Sequence, residues 1–179
     1  MAHVDEQQLR ALIDRLNTTG CIVTSAFEGQ RDGCFVSYIA PCSIEPPRLL
    51  VLTSHETLTH ELIERSGVLA VHPVARGQET WMLLFGGSSG REVDKFASLV
   101  WQPGVAGAPI LTDALGYIEG RVIGSMDCGD HTARLVEPVA AALLVPDAVP
   151  LTTFELFARG LLSPSTALGN PWPVFEPHH

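Results

Sequence analysis

The chain has 179 residues, a formal net charge of −9, and 46% hydrophobic against 17% charged residues. That length suits one domain with a sizeable core, and that balance is the opposite of a disordered chain's. The acidic excess excludes a nucleic-acid partner, which needs a basic stripe, and no apolar run approaches the ~20 residues that cross a bilayer.

Met1 to Arg10 is polar and mostly acidic, without the basic-then-apolar order of a secretory signal, so the expected location is cytoplasmic. Asp5 to Asn17 reads as an amphipathic helix, with Leu9, Leu12, Ile13 and Leu16 on one stripe. Cys21 to Phe27 and Cys34 to Ala40 are rich in β-branched and aromatic residues. They predict a hairpin whose loop, Glu28 to Gly33, is longer than the minimal two residues. Pro46-Pro47 breaks the chain before a third strand, Arg48 to Thr53.

Glu56 to Arg65 predicts a helix with Leu58, Leu62 and Ile63 on one side, ended by Ser66-Gly67. Val68 to Val74 reads as a strand, with Pro73 suggesting an edge. Gln78 to Phe85 is ambiguous, and helix is the reading taken. A glycine-rich loop, Gly86 to Gly90, then leads to a short helix over Val93 to Leu99 and a loop over Trp101 to Gly107. Two long strands follow, Ala114 to Met126 and Thr132 to Val145, with Cys128 to His131 in their turn. Leu151 to Leu162 predicts a last helix, and the proline-rich tail an arm lying on a surface. About six strands without β-α alternation favour a barrel with helical insertions over a doubly wound sheet.

Two motifs mislead. His55-Glu56-Thr57-Leu58-Thr59-His60 resembles the zinc-protease signature with one residue too many, which sets the histidines roughly 140° apart on a helix, so no metal site is expected. Gly86 to Gly90 fits G-x-S-x-G, with Asp113 and His131 downstream, but the parallel sheet of such hydrolases is missing. No Walker or Rossmann glycine pattern is present. Cys21, Cys34, Cys42 and Cys128 form no CxxC pair and read as buried, reduced thiols.

A third constellation carries more. Gly33 to Pro47 is a strand that ends in small or hydroxylated residues and a proline break. Main-chain amides near Ala40 and Cys42 would suit the carbonyl and N–H edge of a flat heterocycle. Thr53-Ser54-His55-Glu56-Thr57-Leu58-Thr59 then gathers hydroxyls where a strand gives way to a helix, a setting that suits an anion. Ordinary helix capping uses the same residue types, and both readings stay open.

In order and spacing, these segments resemble the flavin-reductase-like FMN-binding split-barrel family, from about Cys21 to Val139. Ser43-Ile44-Glu45-Pro46-Pro47 resembles its S-x-x-P-P. Thr59 to Gly67 resembles its T-x-x-L-I…S-G helix. Gln78, Phe85-Gly86, Asp94-Lys95-Phe96, Ala108-Pro109-Ile110-Leu111 and Gly129-Asp130-His131 follow in the family's order.

The resemblance implies a mainly β fold with α insertions, a split β-barrel. Residues 1–145 would form the FMN-binding domain with its N-terminal helix, and 146–179 a C-terminal helix and arm that is no independent domain. It implies a homodimer holding FMN, with FAD as the alternative, and NAD(P)H as electron donor.

Ser37, Tyr38, Ile39, Ala40, Pro41, Cys42 and Ser43 would lie against the isoalloxazine. The phosphate would lie near Thr53, Ser54, His55, Thr57 and Thr59. His131 would be the catalytic candidate, and Phe85 and Trp101 would close the pocket, although core packing explains both aromatics equally well. The implied function is an NAD(P)H:flavin oxidoreductase passing hydride to a free flavin or a protein acceptor. The alternative is a non-enzymatic FMN-binding electron-transfer or sensor protein. This chain departs from the family in lacking a basic residue other than His55 between Ser54 and Thr59, and in carrying Gly120 where a cysteine is common.

Overall fold

The computed structural model describes residue 16 and residues 18–161. The helix expected over Asp5 to Asn17 and the arm beyond residue 161 therefore lie outside the described residues, Leu16 excepted.

Seven strands form one antiparallel sheet in the order β2-β1-β5-β8-β9-β4-β3. They are β1 (Cys21–Phe27), β2 (Gln30–Val36), β3 (Ile39–Ser43), β4 (Arg48–Ser54), β5 (Val68–Pro73), β8 (Gly116–Asp127) and β9 (His131–Leu143). The two ends of that order, β2 and β3, are joined by Ser37-Tyr38, and the Leu52 N–H donates to Tyr38 O at 3.0 Å. The sheet therefore rolls up until its ends meet, which makes it a barrel. Val23, Cys34, Val36, Val51, Leu69, Val71 and Val136 fill the interior. Among the described residues three helices decorate it: α1 (Leu58–Ser66), α2 (Glu79–Gly87) and α3 (Thr153–Ala158). Among the described residues no helix is long and apolar enough to cross a membrane.

Local chemistry accounts for most element boundaries. The first hairpin turns through Glu28 and Gly29, both at positive φ (48° and 81°), with Phe27 paired to Gln30. This is the tight two-residue connection, not the longer loop expected. Gln30, Arg31 and Asp32 look like loop residues but belong to β2. Asp32 points into the protein because Lys95 meets it there, 3.1 Å away, with both side chains buried.

Thr57 caps α1, its hydroxyl accepting the His60 N–H, and Gly67 ends it at φ 66° with its N–H on Ile63 O. β5 sits between β1 and β8, so it is no edge strand; Pro73 is tolerated as its last residue, opposite Cys21.

A second apolar layer covers the outside of β1. Ile22 and Val74 meet Met82 and Phe85 of α2, Phe96, Leu111, and Leu151 and Leu156 of the α3 segment. Lys95 and Phe96 are both buried. Turns replace the helix expected over Val93 to Leu99.

Gly33 sits in mid-strand because a Cβ there would stand 2.7 Å from the Phe85 ring. Short strands β6 (Trp101–Pro103) and β7 (Pro109–Leu111) pair in a stretch partly read as loop. The buried Glu119 carboxylate holds the turn between them, accepting the Ala106 and Ala108 N–H groups at 3.0 Å each. Cys21 and Cys34 are buried, and burial pushes their thiols up to about 12 and about 11. Cys42 and Cys128 are exposed, against expectation, and all four are free.

Candidate functional site

The ladder between β4 and β9 brings the two most informative motifs together. Ser54 lies opposite His131 and Thr53 opposite Thr132. The chain after β4 is then pinned to the 128–131 turn, because the His55 N–H donates to Asp130 O at 3.0 Å. The His55 Nε2 is 2.9 Å from the Thr132 hydroxyl. Tyr38, at the junction of β2 and β3, sets its ring edge-to-face with His131 at 5.6 Å. Tyr38, Ser54, His55, Asp130, His131 and Thr132 thus meet at one end of the barrel, the candidate crevice. They come from three separate stretches of chain.

One wall of that crevice is β3. It pairs with β4 alone, so its other edge carries main-chain N–H and C=O groups that no described strand takes up. Ala40, Pro41 and Cys42 are exposed along it. The far end is the start of α1, where first-turn N–H groups point along the helix axis without partners in the helix. Capping already engages some of the hydroxyls. Thr57 accepts the His60 N–H and donates to Ser54 O at 3.0 Å, and Ser54 Oγ accepts the Glu56 N–H. The capping reading is therefore realised, and a ligand anion would meet main-chain donors first.

A guanidinium also arrives from outside the motif. Arg91 donates from one terminal nitrogen to Glu56 O at 3.1 Å and pairs through the other with Glu61. Nothing in the sequence around Arg91 signals this, since only the path of the 88–100 segment over the barrel delivers it. Flat edge donors, a helix start and a nearby guanidinium are a donor set that fits an isoalloxazine with a phosphorylated tail.

The Asp130–His131 pair carries the geometry closest to proton chemistry. The His131 Nδ1 lies 2.8 Å from Asp130 Oδ1. The hydrogen bond from His131 is the main reason the Asp130 carboxyl lies below its ordinary range. An ionised carboxylate only accepts, so Nδ1 of His131 donates to it.

Four of the residues singled out from the sequence are spent elsewhere. Thr59 is fully buried and donates its hydroxyl to Asp32 at 2.9 Å. Thr53 is buried and accepts from Arg134 inside the barrel. Phe85 is buried in the layer over β1, edge-to-face with Phe96. Trp101 packs on Phe96 beneath the Arg31 guanidinium.

The spurious motifs also resolve. His55 precedes the helix, so its ring comes within 5.0 Å of His60 despite the spacing that a continuous helix would impose. No cluster of three or more potential metal ligands occurs among the described residues. Ser88 ends α2 in extended conformation, not at a strand-to-helix elbow.

Comparison with known proteins settles the kinship. The family model described as "Flavin reductase like domain" matches residues 13–154. The chain belongs to this family. A relative in it, FMN reductase (NADH) RutF of Methylorubrum extorquens strain DM4, is 33% identical over 141 residues, 78% of this chain and 68% of the relative. The reductase subunit HsaB of a flavin-dependent monooxygenase from Rhodococcus jostii RHA1 is 29% identical over 172 residues, 94% of this chain and 84% of HsaB. Among solved structures, nitrilotriacetate monooxygenase component B of Mycobacterium thermoresistibile superposes with a TM-score of 0.74 at 29% identity. The match covers 83% of this chain and 82% of that one. The barrel with α insertions is thus the flavin-reductase-like fold.

Proposed function

We propose that the chain is an NAD(P)H:flavin oxidoreductase, working as a homodimer with FMN held in the crevice between β3, β4 and the 128–131 turn. The observation that carries this reading is the convergence there of an open strand edge, a helix start and a histidine anchored through Nδ1, within a chain kin to named flavin reductases.

The flavin, when bound, would accept a hydride from the nicotinamide and pass the electrons on. The protein's part is to bind and orient. The β3 edge from Ile39 to Ser43 would meet the polar rim of the ring. The start of α1, with Ser54, His55, Thr57 and the Arg91 guanidinium, would receive the phosphate. Tyr38 would shield one side of the ring from water. The Asp130 carboxylate orients His131 so that Nε2 can take or return a proton at the crevice mouth.

The long β8–β9 ribbon supports the homodimer. It exposes Ile123, Met126, Val139 and Leu143, an apolar strip that a second copy would cover. The kinship with a monooxygenase reductase subunit favours a separate oxygenase as consumer of the reduced flavin.

The test is spectroscopic. Purified protein with FMN should be yellow and should bleach on anaerobic addition of NADH or NADPH. Yellow protein that neither nucleotide bleaches refutes the reductase and leaves a flavin carrier. Protein that takes up no FMN refutes both.

A further inference from the structure

Arg134 is fully buried, the bulkiest of the completely enclosed side chains. A guanidinium survives inside a barrel only with its donors satisfied. One terminal nitrogen donates to Thr53 Oγ1, and the other to the Glu64 carboxylate and to His60 Nδ1, which is 3.0 Å away. A guanidinium has donors and no acceptor. Nδ1 of His60 must therefore be bare, and the single proton of the neutral ring must sit on Nε2. A second proton would set an N–H against the guanidinium. Burial, and then the Arg134 charge, hold the His60 pKa below its ordinary value, with His55 adding to the lowering, while Glu64 and a hydrogen bond to the Thr53 main chain pull the other way. The His60 ring stands 5.0 Å from His55, whose Nε2 is tied to Thr132 beside His131. His60 is only half-buried.

We propose that Arg134 is a positioning residue that locks His60 as a neutral, Nε2-protonated donor, and that this N–H contacts the flavin phosphate beside His55. The second half rests on the flavin crevice proposed above. The device supplies a directed donor at the start of α1 that needs no proton from solvent. It offsets the lack of a basic side chain other than His55 between Ser54 and Thr59.

The test uses the full chain and two independent readouts. In protein labelled with 15N at histidine, long-range nitrogen–proton correlations at pH 7 should show His60 protonated at Nε2 with Nδ1 bare. Arg134→Met should relax this to a tautomer mixture. Flavin fluorescence titration should show His60→Ala weakening FMN binding about tenfold, the range for a hydrogen bond to a charged group, while riboflavin binding is unchanged. His60→Gln, which offers an N–H near the same place, should recover most of the FMN affinity. Should Arg134→Met fail to fold, the wild-type tautomer and the two histidine variants still decide.

An Nδ1-protonated His60 overturns the role of Arg134. Equal weakening of FMN and riboflavin, or no weakening of either, overturns the phosphate contact. Wild-type protein that binds no FMN overturns the crevice and with it that contact, and the tautomer measurement then judges Arg134 alone.

Discussion

Acid should unlock this barrel through His72. The ring is completely buried and spans three strands. Nδ1 is 3.2 Å from Ile22 O of β1, a carbonyl that can only accept, so Nδ1 donates. Nε2 accepts the Leu111 N–H of β7 at 3.1 Å. Both nitrogens are satisfied in one neutral tautomer, and protonation would turn Nε2 against an N–H.

Burial lowers the pKa from 6.5 to about 4, with the hydrogen bond to Ile22 opposing. At about 1.4 kcal/mol per pKa unit, the neutral buried ring contributes up to about 3 kcal/mol. Because the folded pKa lies below the unfolded one, the unfolded chain binds the extra proton first. The contribution is complete above pH 6.5 and is lost as pH falls through the window from 6.5 to 4. From pH 7 to pH 5 the loss comes to about 2 kcal/mol.

The assay is urea unfolding of apoprotein at pH 7, 6 and 5 for wild type and His72→Gln, which keeps a donor and an acceptor but does not titrate. The stability difference between the two should shrink by about 2 kcal/mol across that range. Parallel pH profiles would refute the reasoning.

Two further perturbations follow from the same geometry. Lys95→Met strands the Asp32 carboxylate in the interior and should cost about 3–5 kcal/mol by urea unfolding. Adding Asp32→Asn should recover part of that loss, and no recovery would mean that the pair is not what the lysine serves. Met126→Lys sets a charge in the apolar strip of β8–β9 and should weaken the proposed homodimer about tenfold or more in sedimentation velocity. An unchanged association would remove that face from the interface.

The strands with one apolar face could be read from the sequence almost to the residue. Cys21 to Phe27 is β1 as expected, and Arg48 to Thr53 falls one residue short of β4. Their β-branched alternation is a local property. What stayed illegible depended on distant partners. Asp32 looks like a turn residue until Lys95, 63 positions on, neutralises it within β2. Pro73 looks like an edge marker until its place at the last rung of a central strand is known. Ser54, His55 and His131 come from short motifs that the ladder between β4 and β9 brings side by side. Thr53 and Thr59 were misassigned because strand pleat and helix phase turn both inward, to Arg134 and Asp32. Arg91 carried no signal at all.

The three histidines with assignable tautomers show how the barrel divides labour among like side chains. His72 is enclosed by a carbonyl and an N–H, so its proton is fixed and inaccessible. His60 is fixed the opposite way by a guanidinium, which leaves a donor and removes the basic nitrogen. His131 alone of the three leans on a carboxylate, and that carboxylate sits in an exposed turn. A carboxylate accepts Nδ1–H whether the ring is neutral or charged, so Nε2 of His131 can gain and lose a proton without breaking its anchor. Arg134 forbids that cycle at His60, and Leu111 forbids it at His72. Of these three rings, the one that faces Tyr38 is thereby the one whose second nitrogen is not locked by a neighbouring donor.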